Sequence, residues 1–213
     1  MRFENRDEAA RLLLERLAPL NGLQPVVLGL PRGGVPMARL IADGLGGDVD
    51  VALVRKLRAP DQPELAVGAI DEDGTVLEGP HFSGVPEPYL REEIRVQQKI
   101  LRDRRERYTR QRPAVALEGR LVVIVDDGVA TGASMLAAVR AVRARKPAGL
   151  VVAIGVAPPA SVRALEAEAD EVVCLYAPTY FEAVGQFYDD FSEVTDEMVV
   201  AALAPPPGSA VRP

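Results

Sequence analysis

The stretch Leu121-Val122-Val123-Ile124-Val125-Asp126-Asp127-Gly128-Val129-Ala130-Thr131-Gly132-Ala133-Ser134-Met135 decides how this chain is read. Its first five residues are apolar, four of them β-branched, and predict a strand buried on both faces. Two adjacent carboxylates follow, then a loop of Gly, Ala, Thr and Ser. The apolar and Arg-rich Met135–Arg145 reads as a helix. A strand ending in acids, joined by a small-residue loop to a helix N-terminus, suits a phosphorylated sugar. The helix start offers unpaired backbone N–H groups and a positive dipole end to phosphate. Thr131 and Ser134 add hydroxyl donors, while Gly128 and Gly132 let the backbone approach closely. The carboxylates can accept hydrogen bonds from vicinal ribose hydroxyls or hold a divalent cation, directly or through water. The bland alternative is a strand end followed by ordinary Thr and Ser caps. Asp-Asp ahead of Thr-Gly is more specific than a cap.

Further strands are expected at Val26–Leu30, Asp50–Val54, Leu150–Val156 and Glu171–Leu175. Helices are expected from Asn5 to Ala18, with Asn5 and Glu8 in a capping-box pattern, and at Val35–Gly44, Ala160–Glu168 and Thr195–Leu203. Short apolar strands alternating with helices predict an α/β fold, a three-layer α/β/α arrangement around a central, mostly parallel sheet. Leu65–Ile70 and Thr75–Leu77 flank Asp71-Glu72-Asp73-Gly74, a hairpin signal, and Tyr89–Arg110 reads as a long helix. One domain over 1–203 is expected. It carries a hairpin and helical insertion at about 59–112, a small hood or lid region, a C-terminal hood at about 176–203 and a flexible tail at 204–213. Ligands in such sheets sit at the carboxyl ends of strands where strand order reverses, so the loops after 26–30, 50–54 and 121–125 should converge.

The 213 residues are 48% hydrophobic, enough for a substantial core, and a net charge of −6 argues against general affinity for nucleic acid. One cysteine, Cys174, forms no internal disulfide. No signal peptide or membrane span is legible, and a cytoplasmic location is expected. Three further constellations carry chemistry. In Gly29-Leu30-Pro31-Arg32-Gly33-Gly34-Val35-Pro36, the glycines before a helix expose amides and Arg32 adds a fork of donors. The ending Gly-Lys-Ser/Thr of a nucleotide P-loop is missing. Arg55-Lys56-Leu57-Arg58 follows a strand and can neutralise a diphosphate leaving group. Residues 176–191 hold six of the ten aromatics and can stack a planar base or close a small core.

Val-Asp-Asp-Gly-Val-Ala-Thr-Gly-Ala-Ser at 125–134 resembles the 5-phosphoribosyl-1-pyrophosphate (PRPP) signature of type I phosphoribosyltransferases. The resemblance implies that Asp126 and Asp127 hold the ribose hydroxyls, that Ala130, Thr131, Gly132, Ala133 and Ser134 wrap the 5′-phosphate, and that Gly128 belongs to the same substrate site. It implies a pyrophosphate loop at Arg32, Gly33 and Gly34 with an unusual cis peptide, and pyrophosphate contacts from Arg55 and Lys56. It implies Mg²⁺ bridging pyrophosphate and ribose oxygens near Asp126 and Asp127. The segment 176–191 resembles the base-binding part of the 6-oxopurine branch, where Phe181 would cover the base and Asp189 assist the metal. That branch places an acid where this chain has Ala130, a feature closer to the adenine and orotate branches, so the acceptor base stays open.

The reading that follows is transfer of a phosphoribosyl group from PRPP to a nitrogenous base, by a pentosyltransferase that needs Mg²⁺. A homodimer is a candidate assembly, and nucleic acid is not an expected partner. Two rivals stand beside it: a PRPP-sensing regulator without turnover, and a phosphatase or phosphotransferase using Asp126 as nucleophile. Residues 91–112 hold nine basic and four acidic side chains, read first as a solvated helix with i,i+4 pairs and second as a lid, a dimer contact or an RNA-facing patch. The lone His81 reads as a loop residue.

Overall fold

The computed structural model describes residues 1–205 apart from 61, 80 and 111; the expected tail lies outside the described residues from 206 onward. Eight strands are described: β1 (Val26–Gly29), β2 (Asp48–Val51), β3 (Val54–Ala59), β4 (Gln62–Asp71), β5 (Val76–Glu78), β6 (Leu121–Gly128), β7 (Gly149–Val156) and β8 (Glu171–Tyr176). The helices are α1 (Arg6–Arg16), α2 (Gly34–Leu45), α3 (Glu87–Thr109), α4 (Ala133–Ala144), α5 (Pro159–Glu166) and α6 (Asp196–Leu203).

Five strands form a parallel sheet in the order β2-β1-β6-β7-β8. Alternation along each strand divides its side chains between two cores. Val27, Val123, Val125, Val151 and Ala153 pack with Leu13 of α1 and Val35 and Ile41 of α2. Val26, Leu28, Val122, Ile124, Val152 and Ile154 pack with Met135, Val139 and Val142 of α4 and Leu165 of α5. This is the three-layer architecture expected from the apolar runs, each fully buried Val or Ile contributing about 1.5–3 kcal/mol. From β1 the chain passes through α2 to β2 on one side, whereas β6, β7 and β8 extend on the other. Strand order therefore reverses between β1 and β6, and a crevice opens at their carboxyl ends.

A second, antiparallel sheet, β3-β4-β5, contains the hairpin read at Asp71–Gly74. The expected strand Asp50–Val54 ends at Val51, and a new strand begins at Val54. Arg55–Arg58 therefore lies inside β3, paired with β4, and not in a loop after a strand. Leu57, Val67 and Ile70 extend the first core beneath α3, which adds Leu101 and Tyr108.

Ion pairs also fix α3. Arg105 reaches Asp50 at 2.6 Å and Glu72 at 2.5 Å, with the Asp50 side chain only 2% exposed. Asp50 also accepts the Val115 amide at 2.9 Å. Along the exposed face, Arg91 pairs with Glu87 and Lys99 with Asp103 at i,i+4 spacing. The helix read at Tyr89–Arg110 is thus docked by an apolar stripe and a buried ionic anchor, and much of its positive charge is matched locally. Among the described residues no helix is long and apolar enough to cross a membrane.

Candidate functional site

β6 remains a strand through both carboxylates, with Asp126 opposite Ile154 and Gly128 opposite Val156. Side chains alternate along a strand, so the neighbours diverge. Asp127 belongs to the face of Val123 and Val125, the α1–α2 side, and Asp126 to the face of Val122 and Ile124. Asp127 is 8% exposed, and its Oδ2 accepts from Arg6 Nε at 2.7 Å. Arg6 also donates through Nη1 to the Ser192 carbonyl at 2.7 Å and lies 3.9 Å above the Phe191 ring. The Tyr188 hydroxyl donates to the Asp127 carbonyl at 2.6 Å. Oδ1 of Asp126 accepts the Asp127 amide at 2.9 Å. Burial, then the charge of Asp127, pushes the Asp126 carboxyl well above its ordinary pKa. Burial also raises Asp127, opposed by the hydrogen bond and charge of Arg6. The two acids read as one ribose clamp therefore stand in different settings: Asp127 is paired with Arg6, and Asp126 has no ion pair among the described residues.

Across the crevice, the Pro31–Arg32 peptide is cis, the isomer that the resemblance implies for this loop. Glycine is required next by close approach. A Cβ on Gly33 would sit 2.0 Å from Asp127 Oδ2, and one on Gly34 only 2.3 Å from the Val125 carbonyl oxygen. The start of α2 thus lies directly against the end of β6, and it carries no side-chain cap. Arg32 reaches Glu193 at 2.5 Å. Arg6, Arg32, Gly33, Phe191, Glu193 and Val194 line an open crevice of about 340 Å³.

On the other side of β6, Gly132 adopts φ +81° immediately before α4, which also lacks a side-chain cap. A positive φ suits Gly here. Thr131 and Ser134 are exposed, and their hydroxyls make no hydrogen bond among the described residues. Ser161, on α5 and 6% exposed, donates to the Ala130 carbonyl at 2.7 Å and so holds the loop from behind. Val184 packs on the backbone of Gly128, where a Cβ would meet its Cγ1 at 2.5 Å, so the C-terminal segment covers the end of β6.

Other expected site residues take different places. Arg55 hydrogen-bonds Gln97 of α3, and burial with neighbouring Arg104 and Arg58 lowers its pKa. Its guanidinium is directed to α3 because Arg55 lies within β3, on the face packed by that helix. Lys56 is exposed and has no partner among the described residues. Phe181 packs on Phe187 at 5.3 Å and supports the core, while neighbouring Tyr180 is 69% exposed. Asp189 pairs with Arg2 at 2.7 Å on the surface instead of joining the strand carboxylates. His81 is exposed, at the edge of a short turn. Among the described residues no three His, Cys, Asp or Glu side chains are grouped to hold a metal ion.

Arg6, Ser161, Tyr188 and Glu193 were not legible as site residues. Arg6 lies 121 positions from Asp127, in a helical first turn where an Arg carries no local signal. Ser161 and Glu193 belong to no motif. Tyr188 reads in the sequence only as one of an aromatic group.

Residues 4–192 match the family described as phosphoribosyl transferase domain. Two curated Mycobacterium tuberculosis proteins, named "Putative phosphoribosyl transferase Rv0571c" and "Putative phosphoribosyl transferase MT0597", are each 44% identical over 207 residues. The match takes in 94% of this chain and 46% of theirs, so the chain spans about half the length of these relatives. The crystal structure of TT1426 from Thermus thermophilus is 53% identical, with a TM-score of 0.86 over 95% of this chain and 98% of that one.

Proposed function

The chain belongs to the phosphoribosyl transferase domain family, and from that premise we propose that it transfers the 5-phosphoribosyl group of PRPP to a nitrogenous base, releasing pyrophosphate. One observation carries the proposal: two helix starts without side-chain caps, those of α2 and α4, flank the acid-bearing end of β6. The α4 start, with the free hydroxyls of Thr131 and Ser134 and the left-handed Gly132, suits the 5′-phosphate. The amides of the 31–34 loop and Arg32 suit the pyrophosphate. Asp126 accepts from the ribose diol between them.

In the proposed reaction a ring nitrogen of the base forms a bond to the ribose anomeric carbon as the bond to pyrophosphate oxygen breaks. The electron pair leaves with pyrophosphate, and any proton on the attacking nitrogen passes to solvent. Ala130 offers no side-chain proton acceptor, so a proton on the attacking nitrogen is not taken up at this position. The chain's residues hold both reactants in line, exclude water and stabilise the departing charge. Asp126 is the carboxylate available to a cation, and a lone carboxylate fits a Mg²⁺ that keeps water and ligand oxygens and needs no all-protein cage. When bound, the ion supplies charge stabilisation to the leaving pyrophosphate. Tyr180, exposed on the loop after β8, offers a ring for the base. A cytoplasmic location belongs to the same proposal.

The test is pyrophosphate release from PRPP and Mg²⁺ with a panel of purine and pyrimidine bases. Release with one base supports the transferase. Tight PRPP binding without turnover on any base supports a regulatory role instead, and absence of binding sinks both.

A further inference from the structure

We infer that Arg6 is a positioning residue of this site: it holds the Asp127 carboxylate against the start of α2 and couples it to the C-terminal segment at Phe191 and Ser192. The inference rests on the proposal that the crevice takes PRPP. Its ground is the way two distant parts of the chain meet on one residue. Residues 3 and 4 pair through their backbone with 187–190: the Phe3 amide donates to the Phe187 carbonyl, and the Asp189 and Asp190 amides donate to the Phe3 and Glu4 carbonyls, all at 2.8 Å. That pairing delivers Arg6 to the carboxylate of Asp127 and Tyr188 to its carbonyl.

Gly33 closes the other side, leaving no room for a β-carbon beside Oδ2. The carboxylate is therefore held by α1, by the C-terminal segment and by the 31–34 loop together. Arg6 has the geometry for the task, with one nitrogen on Asp127, a second on Ser192 and its plane over Phe191. A buried ion pair adds little net stability compared with apolar packing of the same volume. Its value here lies in where it fixes the acid. The carboxyl end of β6 is set only when the C-terminal segment is seated, which links the wall holding ribose to the segment that covers the strand end.

Calorimetric titration of the full chain with PRPP and Mg²⁺ tests this, using wild type, R6K, R6M, D127N and the double variant R6M/D127N, with thermal melts to confirm folding. R6M is expected to weaken binding by about tenfold or more, and R6K, which keeps the charge but supplies one nitrogen and no plane for Phe191, to recover only part of that loss. Because Arg6 acts through Asp127, the double variant should bind as D127N alone does. It also leaves no carboxylate orphaned at position 127, so it reports even if R6M folds poorly. Wild-type affinity in R6M, or losses that multiply in the double variant, would overturn the inference while leaving the site proposal standing. Failure of wild type to bind PRPP would overturn the site proposal and the inference with it.

Discussion

Asp126 and Asp127 are neighbours in sequence with opposite neighbourhoods, and that contrast is testable on stability alone. Asp126 titrates higher folded than unfolded, because burial and the adjacent Asp127 oppose its charge. Its ionised form therefore works against folding above the folded pKa, and the penalty disappears as pH falls to the unfolded pKa. D126N should raise Tm at pH 8 by about 2–4 °C, the shift for about 1 kcal/mol in a chain of this size, and the gain should shrink toward pH 4. A melt showing D126N less stable at pH 8 contradicts this. The glycines give a second contrast. An Ala at 34 meets the Val125 carbonyl, which is backbone and cannot yield, whereas one at 33 meets the end of the Asp127 side chain. G34A should cost more stability in urea than G33A, about 1–3 kcal/mol or above, while G33A should disturb ligand binding first. The acids, glycines and hydroxyls of this crevice were legible because each follows from local rules of turn, cap and strand end. The divergence of the two acids depends on β6 running past Val125 to Gly128, which the apolar run alone does not reveal.

At the scale of elements, α3 illustrates which half of an interaction a sequence carries. Its stripe of Leu90, Ile94, Leu101 and Tyr108 and its i,i+4 charge pairs are periodic and therefore readable. The Arg105 anchor is not, since Asp50 and Glu72 stand 55 and 33 positions away. Removing that anchor with R105M leaves the nearly inaccessible Asp50 carboxylate without its closest cation, and urea unfolding should show a loss of about 3–5 kcal/mol. Replacing exposed Arg95, paired with Glu92, should make no measurable difference. The anchor also bears on the lid expectation. A helix fixed through Leu101, Arg105 and Tyr108 should show slow amide exchange over 101–109, unchanged by PRPP and Mg²⁺. Ligand-dependent protection there would mean that α3 itself closes.

Across the whole molecule, the sheet, two uncapped helix starts and the N- and C-terminal segments converge on one end of β6, so ligand energy should be felt globally. A ligand that binds only the folded chain stabilises it by about 2.7 kcal/mol at one hundred times its Kd. At about 2–4 °C per kcal/mol, saturating PRPP with Mg²⁺ should raise Tm by about 5–11 °C. The metal's share separates from the protein's. Among the described residues no cluster of three ligating side chains exists, so a chelator should leave the unliganded Tm unchanged. The same chelator should remove most of the PRPP-dependent rise, because on the proposed reading the cation would be held largely by PRPP oxygens and by water. A lowered Tm on chelation without PRPP would point to a resident ion that stabilises the fold. A PRPP shift that survives chelation would assign pyrophosphate neutralisation to Arg32 and the loop amides alone.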